Sequence, residues 1–325
     1  MSFIVIAPPK NPKSAGSMVL YELAEEIRRA GFSAERVLLA QNKDGHFFIS
    51  IDEKKYMPLY TDTLEHFFDP KCSVIIHGEN LHHRFFDKFN VARYYLNKIG
   101  ALRNIGVPRQ GEYKIGWSTS YIDDPDFLLR RPIIKKPIIE QLQLDQPRLF
   151  DLTYVGKAHL YDKQFSRLPG TIELTRTWPS DVDEYLFLLS KARFLFTFDI
   201  QTSVVEEAIV YGAMPVHMTH KPFKKLIEWK KNAAVELSDC CLSIDEFKKL
   251  NNDNVNEYVK HFHKKRVDFI AHLDRQKGDY QARLRKLIIS IQLRFNIQID
   301  KPIKQTDYYH QMNRRTDLSS GRLTT

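Results

Sequence analysis

Short apolar runs alternate with amphipathic stretches along most of this chain, and that alternation restricts it to an α/β fold. Residues 3–7 read as a buried strand. The loop 8–17, containing Gly16, leads into a helix over 18–30 with Leu20, Leu23, Ala24 and Ile27 on one face. Residues 33–39 and 73–76 read as further strands, and 90–98 as a helix stopped by Gly100. From 123 to 151 the prolines at 125, 132, 137 and 147 break any period, so this stretch reads as a connector. A second α/β unit follows. Its strands fall at 152–155, 171–175 and 194–198, and its helices at 181–191, capped by Ser180, and 204–211, ended by Gly212. A further strand begins at 215–218, and 255–295 is a long basic helical region.

A chain of 325 residues has room for two such domains, and two α/β halves joined by a connector make a cleft where ligands bind. The expected division is 1–145, 146–290 and a helix and tail over 291–325.

Composition narrows the partners. The net charge of +9 admits nucleic acid, an anionic membrane or a phosphate-bearing small molecule. The cations are spread along the chain and no nucleic-acid motif stands out, so no nucleic acid is expected. Cys72, Cys240 and Cys241 lack metal spacing, and a reducing compartment suits them. The apolar start is too short for a signal peptide, and no run approaches a membrane span. A cytoplasmic protein is expected, with peripheral contact at the inner face of the membrane. His82 and His83 have no partner spacing for a metal, and Asp123, Asp124 and Asp126 in the connector read as solvated.

Residues 196–216 carry the functional inference. A strand ends in a carboxylate, Asp199, and a short turn with two hydroxyls, Thr202 and Ser203, opens a helix. The free N–H groups and dipole of a helix start suit a phosphate. Glu207, eight residues beyond Asp199, is placed to accept hydrogen bonds from a ribose diol. Local physics equally allows a plain strand–turn–helix in which Thr202 or Ser203 merely caps.

The run from Glu207 to Val216 (Glu-Ala-Ile-Val-Tyr-Gly-Ala-Met-Pro-Val) resembles the donor-site signature of retaining glycosyltransferases of the GT-B fold. The likeness is to glycosyltransferase family 4 and its polysaccharide- and lipopolysaccharide-assembling relatives. Those carry Glu-x7-Glu followed by a Gly-x-Pro-Val run; here the first acid is Asp199, one extra residue precedes the proline, and the family's Gly-Phe-Gly is replaced by Ile-Gln-Thr-Ser. The resemblance implies two Rossmann-like domains facing across a cleft, with a C-terminal helix crossing back to the first. It implies transfer from a nucleotide-sugar donor to a hydroxyl of a glycan or lipid-linked acceptor, with retention and no metal or other cofactor. It also implies that Asp199 meets the transferred sugar and Glu207 the ribose.

Two further stretches resemble the same enzymes. Thr153-Tyr-Val-Gly156-Lys157 is similar to the motif in which a glycine admits the diphosphate and a cation neutralises it, with Lys163 as the second lysine. Arg176 is a further phosphate contact or a surface arginine, and Trp178 a base-pocket wall or a packing residue. In the first half, Ser14, Gly16 and Ser17 occupy the acceptor-loop position. His77-Gly-Glu79-Asn80, with the stretch from Asn90 to Gly100, is similar to rhamnosyltransferase-like polysaccharide enzymes, which places His77 and Glu79 at the cleft. Two rivals share the fold or the site: a nucleotide-sugar 2-epimerase and a non-catalytic nucleotide-sugar- or glycan-binding subunit. A dehydrogenase is not expected, because no Gly-x-Gly-x-x-Gly follows the first strand.

Overall fold

The computed structural model describes residues 2–12, 14–81, 84–97, 108–119, 121–131, 148–156, 167–199, 202–218, 240–251 and 253–297. Strand β1 (Ser2–Ala7) is apolar on both faces: Phe3, Val5 and Ala7 enter one core, Ile4 and Ile6 another. A strand covered on both sides belongs inside a parallel sheet. It pairs in parallel with β2 (Ala34–Gln41) and β5 (Ser73–Gly78). Strands β6 (Asn90–Tyr95), β7 (Tyr113–Gly116) and β8 (Phe127–Leu128) continue in parallel on one side. An antiparallel hairpin, β3 (Phe47–Ser50) and β4 (Met57–Pro58), closes the other, giving the order β4-β3-β2-β1-β5-β6-β7-β8.

The second sheet is wholly parallel. Strands β9 (Phe150–Tyr154), β10 (Ile172–Leu174), β11 (Ala192–Thr197), β12 (Met214–His217) and β13 (Leu242–Ser243) run in the order β10-β9-β11-β12-β13. In both sheets the second strand lies on one side of the first and a later strand on the other. Each sheet therefore has a switch point, between β1 and β5 and between β9 and β11, where strand ends part and leave a crevice.

Helices fill the faces. Helix α1 (Ala15–Arg29) starts at the Ser14 cap and buries Val19, Leu20, Leu23, Ala24 and Ile27 on the first sheet. In the second domain lie α2 (Val182–Lys191), α3 (Ser203–Tyr211) and α4 (Ile244–Lys248). The last helix, α5 (Val255–Phe295), has 41 residues, about 60 Å at 1.5 Å per residue. It buries Phe262, Phe269 and Leu273 in the core of the second domain, then Tyr280, Leu284, Leu287, Ile288 and Ile291 in that of the first. This is the GT-B arrangement: two Rossmann-like domains and a C-terminal helix that crosses back. No helix among the described residues is long and apolar enough to cross a membrane.

Several local expectations are corrected. Residues 90–95 form strand β6, not a helix, and lie between β5 and β7. Alternation decides it: Ala92 and Tyr94 enter one core while Val91 packs into the other, and six residues cannot build a helical stripe. The cap of α2 is Asp181, not Ser180, because the Asp181 carboxylate accepts from the N–H groups of both Asp183 and Glu184. The stretch that reads as a connector contains β8; Asp126 there is exposed, as expected, and also accepts from Lys114 N at 2.6 Å.

The crossing helix is tied down by a buried carboxyl. Glu26 of α1 accepts from Tyr280 of α5 at 2.6 Å and pairs with Arg131 at 2.8 Å. Burial pushes the Glu26 carboxyl up, while Arg131 and Tyr280 pull it back. A carboxyl raised by folding holds its proton where the unfolded chain has lost it, so its contribution to stability falls as pH rises through that window. Tyr280→Phe removes one group that stabilises the ionised form. The variant is expected to lose about 1–2 kcal/mol at pH 7 and less at an acidic pH low enough for Glu26 to take up its proton. Denaturant melts at the two pH values check this; an equal loss at both would remove Glu26 from the account.

Candidate functional site

A cavity of about 570 Å³ lies between the domains, at the carboxyl ends of the strands of both sheets. From the first domain it is lined by residues that follow β1, β5 and β6, including Asn11, Glu79 and Asn97, and by Trp117 and Tyr121. From the second come Tyr154 at the end of β9, Arg176 after β10, Tyr185, and Thr202, Ser203 and Glu206 at the start of α3. Its size is that of a pocket for a nucleotide-sized ligand.

Two helix N-termini open on this cavity, one from each domain. In α1, Ser14 accepts from Ser17 N at 3.4 Å and from Ser17 Oγ at 2.8 Å. Ser14, Gly16 and Ser17 all line the cavity. In α3, Thr202 caps by accepting from Val204 N at 3.3 Å. The opposite end of α3 has no basic residue of its own in its last turn. Two arginines, Arg266 buried and Arg148 half-buried, supply the cations: Arg266 donates to the carbonyls of Ile209 and Val210, and Arg148 to that of Tyr211. Gly212, at φ 89°, ends the helix. The dipole of α3 is thus anchored at its C-terminus and presents its positive end to the cavity.

Asp199 and Gly156 meet at the second switch point. Gly156 has φ +57°, and a Cβ there would lie 2.7 Å from Asp199 Oδ2. Asp199 is buried, and Thr197 Oγ1 both accepts from its N–H and donates to its carbonyl, each at 3.1 Å. Burial pushes the Tyr154 phenol up and the charge of Asp199 adds to this, while hydrogen bonds with Thr202 and Arg176 pull it down. Tyr154 therefore links Asp199, the α3 cap and Arg176 in one network.

The expected residues divide. Ser14, Gly16, Ser17, Glu79, Arg176, Thr202 and Ser203 share the cavity. Lys157 and Lys163 lie outside the described residues. Asp199, Gly156 and Glu207 stand behind its wall. Glu79 is buried, its Oε2 accepting from Leu96 N at 3.0 Å and its Oε1 from Asn97 Nδ2 at 2.9 Å, so it ties the ends of β5 and β6 together. His77 is a correction: it does not reach the cavity. Pleating puts it on the face of Ile75, 1% exposed, with its ring 5.3 Å from that of Phe86 and Nδ1 donating to Gly78 O. Trp178 is 42% exposed, and its neighbour Pro179 lines the cavity instead.

The acidic pair in α3 is resolved by helix phase. Glu206, three residues after Ser203, shares its cavity face. Glu207 turns inward, 2% exposed, and accepts from the hydroxyl of Tyr185. Burial, with the charge of Glu207, pushes the Tyr185 phenol well up and that of Tyr211 to about 12. The Ser203–Glu206 spacing was the available signal for Glu206; Tyr121, Tyr154 and Tyr185 had none, since each is an ordinary core aromatic in the sequence.

Among the described residues no group of three or more His, Cys, Asp or Glu is placed to hold a metal ion. The chain matches no protein-family model and no curated protein. Several solved structures resemble it, among them the following two. T4 phage BGT in complex with UDP and Mn2+ matches over 90% of this chain and 99% of that chain, at 12% identity and a TM-score of 0.47. The spinosyn rhamnosyltransferase SpnG matches over 90% and 96%, at 9% identity and a TM-score of 0.33. At these levels neither likeness assigns a function, which rests on the geometry of the site.

Proposed function

We propose that the protein is a glycosyltransferase that moves a sugar from a nucleotide-sugar donor to a hydroxyl of a glycan or lipid-linked acceptor. One observation carries this reading: a single cavity sits at the switch points of both sheets, with a hydroxyl-bearing helix N-terminus from each domain. In this reading the donor's diphosphate lies at the N-terminus of α3, against the backbone N–H groups, Thr202, Ser203 and Arg176. Lys157 and Lys163 add positive charge, as the sequence resemblance implies. Glu206 accepts hydrogen bonds from donor hydroxyls, while Glu207 acts from behind through Tyr185. Asp199 and Tyr154 set the floor of the donor site. The acceptor lies in the first domain against Ser14, Gly16, Ser17 and Glu79.

The chemistry needs little from the protein beyond position and charge. The acceptor hydroxyl attacks the anomeric carbon on the face that the diphosphate leaves, the glycosidic bond to the diphosphate breaks, the departing diphosphate oxygen takes the hydroxyl's proton, and the helix N–H groups stabilise the charge that develops on the leaving group. Retention, independence from metal, and a place in polysaccharide or lipopolysaccharide assembly follow from the sequence resemblance alone and are part of the proposal. So is peripheral contact with an anionic inner leaflet, for which α5 offers exposed Lys260, Lys264, Arg285, Lys286 and Arg294.

Thermal stabilisation by UDP, GDP, dTDP, ADP and CMP tests the reading. One nucleotide at 100 times its Kd is expected to add about 2.7 kcal/mol, and Glu206→Gln to weaken its binding about tenfold. No shift with any of the five would overturn the proposal.

A further inference from the structure

The residues that precede the inter-domain stretch are held from several directions. Arg283 of α5 donates to Leu128 O at 2.6 Å, and Tyr94 to Leu129 O at 2.5 Å. Leu129 is fully buried, and Arg131 pairs with Glu22 and Glu26 of α1. Between these anchors Arg130 reaches across the cleft, and its Nη2 donates to Glu206 Oε1 at 2.6 Å. The two side chains are 20% and 16% exposed. Tyr121, which lines the cavity, lies in the field of the same pair and of Asp199 and Glu79 from opposite domains.

A carboxylate in the first turn of a helix suits the dipole but repels an anion at the same N-terminus. Pairing cancels that charge and holds one rotamer, leaving the second carboxylate oxygen as a directed acceptor. Glu206 lines the cavity, and Arg130 reaches it through Glu206. We infer that Arg130 is a positioning residue: from the first domain it orients and neutralises Glu206, so that a diphosphate-bearing sugar donor is recognised only when the two domains are closed on each other. This rests on the donor reading above. The rigid backbone at Leu128 and Leu129 is what lets one arginine carry domain position into the donor site.

The test is a double-mutant cycle on the whole chain. Its probe is whichever of UDP, GDP, dTDP and ADP stabilises the wild-type protein most, with affinities measured by calorimetry. Arg130→Met is expected to weaken binding roughly ten- to a hundredfold, because it leaves an uncompensated carboxylate beside the phosphates. Arg130→Lys, which keeps the charge, recovers most of the loss. The double variant Arg130→Met/Glu206→Gln is expected to bind within about threefold of Glu206→Gln alone, since no charge remains to be cancelled. A purely structural role, or direct contact between Arg130 and phosphate, makes the two losses add, so that the double variant binds about tenfold more weakly than Arg130→Met alone, and overturns the inference, as does an unaffected Arg130→Met. Failure of the wild type to bind any of the four overturns the placing of a diphosphate at α3, and this inference with it.

Discussion

Gly156→Ala is expected to unfold the second domain at lower denaturant and to abolish nucleotide stabilisation. Gly156 adopts φ +57°, a conformation that costs an L-residue about 1–2 kcal/mol. Space is the larger obstacle. The added Cβ would lie 2.5 Å from Tyr154 Cε1, 2.7 Å from Asp199 Oδ2 and 2.8 Å from Asp199 Cβ. Neither neighbour yields cheaply. Asp199 Cβ is one bond from a backbone held by Thr197, and Tyr154 is buried with its hydroxyl in the network of Thr202 and Arg176. A total of about 2–4 kcal/mol is expected, together with displacement of the α3 cap. Gly170→Ala is the control: its φ is +76° but nothing lies within 4 Å of the new Cβ, so it shows the backbone cost alone. Equal melting of the two variants, with nucleotide binding intact in Gly156→Ala, would show that the β9 turn does not support the site.

The second large effect is expected at the far end of α3. Arg266 is 3% exposed and donates to Ile209 O at 2.9 Å and to Val210 O at 3.2 and 2.6 Å. Burial, with Arg148 nearby, pushes its guanidinium down to about 10, which still leaves it a cation at neutral pH. Arg266→Met strips the buried Val210 carbonyl of its donor, about 1–3 kcal/mol, leaves Ile209 O with the Gly212 N–H at 3.0 Å as its remaining donor, and removes a cation from the helix C-terminus. Relief of the buried charge offsets part of this. A net loss of about 3 kcal/mol is expected in denaturant titration. Arg266→Lys should recover less than half, because one ammonium cannot span both carbonyls as the guanidinium fork does. Stability within about 0.5 kcal/mol of wild type would mean that water or another donor replaces Arg266.

The likeness between the two domains extends to how their sites are made legible. Residues 3–7 and 194–198 were readable as strands because a buried parallel strand is a bare apolar run. Gly212 was readable as a helix end because no other residue adopts φ 89° so readily. The 90–95 segment was misread because a short run of Val, Ala and Tyr fits either period, and only its place between β5 and β7 decides. His77 was misplaced for a similar reason: the end of a strand was identified, but not which face its side chain takes.

Local chemistry alone therefore determined the α/β class, the presence of two α/β units, and the strand–turn–helix at 196–211 with its capping hydroxyl. These depend on periodicity and turn residues, which act over a few positions. The tertiary structure decided which of two adjacent glutamates faces the cavity, that three tyrosines border it, and that Arg130 of one domain meets Glu206 of the other. Helix phase and strand face are fixed by what packs behind them, and the Arg130–Glu206 pair joins positions 76 residues apart. Neither kind of constraint leaves a mark at the residue itself, because each is a property of the neighbours that folding supplies.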